Sequence, residues 1–112
     1  MREEALQNVL RETKREFRNM FGNSLVSVLL YGSYARGDYV EDSDVDVVAL
    51  VDAEREVLQA QRPRLVRLSE AMDMQYSVLL SPSVIPYREF LKYQNDLPYY
   101  KNIAKEGVRL DG

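Results

Sequence analysis

The chain has 112 residues, 46% of them hydrophobic, and carries 15 Lys and Arg against 18 Asp and Glu. That is enough apolar material for one core, and the formal charge of -3 lacks the basic excess of a general nucleic-acid binder. Cysteine and histidine are both absent, which excludes disulfides, thiolate metal sites and the usual neutral-pH proton shuttle.

The N-terminal segment MREEALQNVL is charged and helical rather than signal-like. Leu6, Val9, Leu10, Phe17, Met20 and Phe21 line one face of a helix, which Gly22 and Asn23 stop. Leu25 to Tyr31 is a short apolar run suited to a strand covered on both faces, and it ends at Gly32-Ser33. After a polar loop, in which Asp42 and Ser43 shape the turn, Val45 to Val51 forms a second β-branched strand. Asp44 and Asp46 sit at its start and share one face. From about Ala53 to Ala71 the pattern is helical, with Pro63 predicting a kink or two short helices. Met74 to Leu80 reads as a third strand, stopped by Ser81-Pro82-Ser83. Pro86 to Gln94 suits a short helix, and another follows with Asp96 as cap, Pro98 in the first turn and Gly107 at the end. No segment approaches the ~20 apolar residues needed to cross a bilayer. The expectation is one soluble, cytoplasmic domain over residues 1–112.

The chemistry concentrates in YGSYARGDYVEDSDVDVV, residues 31 to 48. A strand that runs into Gly-Ser and a helical turn can aim backbone N–H groups and a hydroxyl at a phosphate. Two aspartates at i and i+2 repel each other unless a cation is shared between them. Mg²⁺ suits that demand, since it bridges one or two carboxylates to substrate phosphates. Arg36 can pair on the surface with Asp38 or Glu41.

Gly32-Ser33, ten intervening residues and Asp44-Val45-Asp46 resemble the signature of the DNA polymerase beta-like nucleotidyltransferase superfamily. The fuller GSYARGDYVEDSDVDVV is similar to its minimal nucleotidyltransferase (MNT) branch. The resemblance implies an α/β (α+β) nucleotidyltransferase fold, a small mixed sheet packed by helices. It implies that Gly32, Ser33 and Arg36 bind a nucleoside triphosphate, and that Asp44 and Asp46 are catalytic ligands of a two-ion Mg²⁺ site. The family's third carboxylate stands on a later strand. Asp73 is the candidate for that ligand in MDMQYSVLL, four residues before Ser77, which is better aligned with the usual acid.

The implied reaction moves a nucleoside monophosphate, AMP from ATP, to an acceptor hydroxyl. The implied partner is a HEPN-type toxin for which the chain would be the MNT antitoxin. A degenerate binding module and a small-molecule, antibiotic-type transferase are the alternatives. Arg55, Arg62, Arg64 and Arg67, interspersed with Glu54, Glu56 and Glu70, read as a solvated charged face rather than an RNA surface. Tyr87, Tyr93, Tyr99 and Tyr100 serve either a partner surface or the packing of short helices.

Overall fold

The structure, a computed structural model, describes residues 3–110. Helix α1 (Glu3–Phe21) buries Val9, Thr13 and Phe17, residues at the four-residue spacing that keeps side chains on one face. A 3-10 turn over Gly22–Ser24 leads into β1 (Leu25–Tyr31). The single helical turn α2 (Ser33–Arg36) and a polar loop then reverse the chain into β2 (Val45–Val51). Two helices, α3 (Arg55–Gln59) and α4 (Arg62–Tyr76), carry it to β3 (Leu80–Pro86). Helices α5 (Tyr87–Tyr93) and α6 (Pro98–Glu106) precede the two-residue strand β4 (Val108–Arg109).

The strands form one mixed sheet in the order β3-β2-β1-β4. β1 is antiparallel to β2 and to β4, whereas β2 and β3 are parallel, the arrangement that needs the α3–α4 crossover. Alternation along the strands builds a core on each face. One contains Val28, Leu30, Val45, Val47, Ala49 and Val51 with Val9, Phe17, Leu65 and Leu68 from the helices. The other contains Leu29, Val48, Leu50 and Ile85 against Phe90, Tyr100 and Ile103. β2 is therefore covered on both sides, and each fully buried valine in it is worth about 1.5–3 kcal/mol of transfer free energy.

The first two strands lie where the apolar runs predict them, and the Ala53–Ala71 segment does divide into two helices, with Pro63 in the opening turn of α4. The third strand is displaced. Met74 to Tyr76 continue α4, Ser77 caps it in the left-handed region with its N–H on the Asp73 carbonyl, and the strand begins at Leu80. Ser81-Pro82-Ser83 is the strand itself, because β3 is an edge strand, where proline is tolerated. Asp73 thus stands exposed on a helix, not on a strand beside β2. The N-cap of α6 is Leu97 rather than Asp96, while Gly107 ends that helix as its pattern predicts. β4 was not legible as a strand; it takes only Val108 and Arg109, pairing with Leu30 and Leu29.

Candidate functional site

Antiparallel pairing brings the end of β1 next to the start of β2, and parallel pairing brings the start of β3 there too. Tyr31, Asp46 and Ser81 consequently lie side by side across three strands, opposite one another in register. Asp44 precedes Asp46 by two residues on the same face, and the Ser81 hydroxyl donates a 3.1 Å hydrogen bond to its Oδ2. The two aspartates that the spacing pairs are therefore adjacent, and the neighbour on the third strand is a serine.

Gly32 closes the site from the β1 side. Its backbone lies at φ 76°, ψ -155°, a conformation essentially restricted to glycine. A methyl group there would sit 2.5 Å from Asp46 Oδ2, so the main chain passes directly against the carboxylate. The Gly32 carbonyl accepts from the N–H groups of Ala35 and Arg36 at 3.1 and 3.0 Å, which folds residues 33–36 into one helical turn. Gly37, at φ 88°, ends the turn with its N–H on the Ser33 carbonyl. Sequence, turn and close approach are linked: only a residue without Cβ fits between β1 and Asp46.

The electrostatics follow from this crowding. Asp46 is half-buried, and its pKa is raised above the ordinary carboxylate value, first by burial and then by the charge of Asp44. Arg36 opposes that rise, so its positive charge acts at the site. Arg36 itself holds Asp38 through Nε at 3.3 Å, the surface pair that the sequence allows, and Glu106 through Nη1 at 3.0 Å. Tyr31, next to Gly32, hydrogen-bonds Tyr99 hydroxyl to hydroxyl at 3.0 Å, with Ser83 Oγ 3.4 Å beyond. Burial, the Tyr99 contact and Asp46 together push the Tyr31 phenol above its usual range.

Asp73 does not join this group. Among the described residues no cluster of three or more His, Cys, Asp or Glu side chains could hold a metal ion, so the three-carboxylate set of Asp44, Asp46 and Asp73 is not assembled. Ser77 is excluded from the third-strand position too, since it caps α4. Ser81 holds that position. The signal for it is available in the chain, because Ser81, Ser83 and Ile85 alternate as one face of a strand, but Pro82 between the two serines reads as a stop. Glu106 and Tyr99 carried no local motif and become visible only through tertiary contact. Asp42 and Ser43 stay in the turn, where Ser43 Oγ accepts the Val40 N–H.

The remaining charged and aromatic candidates divide. Arg55 and Arg64 pair with Glu89 and Glu16 (the latter at 2.5 Å), as on a solvated charged face. Tyr100 is buried in the α5–α6 core, whereas Tyr99 is 44% exposed over the site face.

The profile of the nucleotidyltransferase domain matches residues 10–111. The Methanocaldococcus jannaschii protein named Putative protein adenylyltransferase MJ0141 is 34% identical over 84 residues, covering 75% of this chain and 81% of that one. In fold, the chain is similar to a solved toxin-antitoxin with AMP-PNP, at TM-score 0.52 and 15% identity, over 98% of this chain and 73% of that chain. It is also similar to a tri-AMPylated Shewanella oneidensis HEPN toxin in complex with MNT antitoxin, at TM-score 0.51 and 13% identity, over 93% and 70%. Among the described residues no helix is long and apolar enough to cross a membrane.

Proposed function

Because the chain belongs to the nucleotidyltransferase domain family, we propose that it transfers AMP from ATP to a hydroxyl group of a partner protein, with release of pyrophosphate. The observation that carries this reading is the packing of the Gly32 main chain against Asp46, with Asp44 and Ser81 alongside. Phosphate and carboxylate chemistry are thereby confined to one corner of the sheet. In the transfer, the acceptor hydroxyl gives up its proton to solvent as its oxygen attacks the α-phosphorus, the bond from that phosphorus to the α,β-bridging oxygen breaks, and pyrophosphate leaves on the opposite side.

The chain's own residues supply binding and charge. Gly32 and Ser33 present the opening of α2 to the triphosphate, and Arg36 offsets its negative charge. Asp44 and Asp46 fit a divalent cation, because a carboxylate whose ionised form is disfavoured by burial and a like charge is relieved by one. Mg²⁺ bound there supplies charge neutralisation of the phosphates. The donor set is two carboxylates with Ser81, one carboxylate short of the three-carboxylate arrangement that the resemblance implies, and the phosphates would provide further oxygens.

The partner in this reading is a HEPN-type protein, with the chain as its MNT antitoxin and the cytoplasm as its compartment. Support comes from the adenylyltransferase name of the Methanocaldococcus relative and the HEPN–MNT complex among its structural neighbours. The single-domain organisation over residues 1–112 belongs to the same proposal. The test is incubation of the protein with α-labelled ATP, Mg²⁺ and a HEPN-type protein. Label should appear on the partner with wild type and not with Asp44→Asn plus Asp46→Asn. Label transfer that is indifferent to both aspartates would overturn the reading.

A further inference from the structure

Arg36 is the cation of the nucleotide turn, yet two of its guanidinium edges are already taken by carboxylates. Nε donates to Asp38 and Nη1 to Glu106, one charge-assisted hydrogen bond to each carboxylate, so donors that a phosphate would use are engaged. The two partners are not equivalent. Asp38 is local and 64% exposed, whereas Glu106 arrives from seventy positions away and is 26% exposed.

Glu106 is also held in place. It is the last residue of α6, and the next residue, Gly107, is packed so tightly that a Cβ there would lie 2.6 Å from the Ile103 carbonyl oxygen and 3.4 Å from Leu29 Cδ1. Beyond it β4 pairs with Leu29 and Leu30 of β1, and the Leu110 N–H bonds the Val28 carbonyl. At the other end of α6, Tyr99 is hydrogen-bonded to Tyr31, the residue before Gly32. The C-terminal segment therefore meets the strand and turn of the site at two points, and the backbone that carries Glu106 is anchored beside Arg36.

We propose that Glu106 is an internal stand-in for phosphate: it holds Arg36 when no nucleotide is bound, and an incoming triphosphate must displace it. This inference rests on the phosphate role of Arg36 in the proposed function. Glu106 is a positioning residue that acts through Arg36 and sets nucleotide affinity rather than touching the reacting atoms. An exposed ion pair of this kind is worth a factor of about two to five in an equilibrium. Removing its charge should tighten triphosphate binding by that factor.

The experiment measures Mg²⁺–ATP and Mg²⁺–tripolyphosphate affinity by calorimetry for wild type, Glu106→Gln, Arg36→Gln and the double variant, with thermal melts to verify folding. Glu106→Gln keeps the size and shape of the side chain. The expected result is about two- to fivefold tighter binding of both ligands, since Glu106 competes with phosphate and not with the base. That gain should vanish in the Arg36→Gln background. Binding by wild type that Glu106→Gln leaves unchanged or weakens overturns the proposal alone. So does a gain that persists without Arg36, which would mark a general charge effect, or a gain confined to ATP. Absence of binding by wild type and by Glu106→Gln overturns both this inference and the nucleotide reading on which it rests.

Discussion

Replacing Gly32 by Ala tests the construction of the site at its tightest point. The new methyl group meets two separate obstacles: a backbone at φ 76°, ψ -155° and the Asp46 carboxylate, whose Oδ2 would be 2.5 Å away. A residue with Cβ in that region of conformational space costs about 1–3 kcal/mol. For a chain of this size that corresponds to a fall of roughly 5–15 °C in Tm. The contact is relieved differently, because the Asp46 side chain is short and can rotate, at the expense of its position beside Asp44. Gly37→Ala supplies the control: its φ is 88°, but nothing lies within 4 Å of the added carbon. That variant should lose about 1–2 kcal/mol from the left-handed backbone alone. Both variants should therefore melt lower in a chelated buffer, while only Gly32→Ala loses Mg²⁺–ATP affinity, by at least about tenfold, or 1.4 kcal/mol. A Gly32→Ala protein that melts with wild type, or binds Mg²⁺–ATP equally well, would refute the close-approach argument.

Three further outcomes follow from the same geometry. Because the folded pKa of Asp46 lies above its ordinary 3.8, the stability this group contributes is full at lower pH and is lost as pH rises through the folded value. In metal-free buffer, Asp46→Asn should thus gain on wild type between about pH 3 and pH 7, by less than about 1 kcal/mol after solvent screening, as read from paired pH-dependent melts; a variant that loses ground with rising pH contradicts the sign. Asp73→Asn, on the exposed side of α4, should stay within about 0.5 kcal/mol of wild type and bind Mg²⁺–ATP unchanged, whereas Ser81→Asp should lower metal-free stability and raise divalent-ion affinity, both visible in melts with and without Mg²⁺.

Strands whose neighbours are supplied by hydrophobic burial were legible in the chain. Leu25–Tyr31 and Val45–Val51 announce themselves as apolar β-branched runs, and the resemblance carried by Gly32-Ser33 and Asp44-Val45-Asp46 implies that a turn and a carboxylate pair meet. β3 was not legible, because its composition is governed by two conditions that one strand cannot show. As an edge strand it tolerates Pro82 and Pro86, and on the face it shares with Asp46 it carries Ser81 and Ser83 instead of apolar residues. Local pattern then favoured a strand at Met74–Leu80, where the true element is the last turn of α4, with Ser77 accepting a left-handed backbone that no propensity scale anticipates. With the strand shifted to Leu80–Pro86, the position beside Asp46 falls to Ser81 and not to Asp73 or Ser77. The Arg36–Glu106 pair lies beyond sequence reading altogether, since it depends on α6 and β4 returning to β1.

In the proposed function, Gly32, Ser33, Asp44 and Asp46 form one metal-dependent site for a nucleoside triphosphate. Calorimetric titration of the wild-type chain with ATP in the presence of Mg²⁺, repeated after chelation and with Asp44→Asn plus Asp46→Asn, tests it most directly. The expected binding heat disappears with the chelator, and affinity falls at least about tenfold for the double variant, which should itself remain folded. ATP binding of equal strength with and without the metal, or undiminished in the folded double variant, would contradict it.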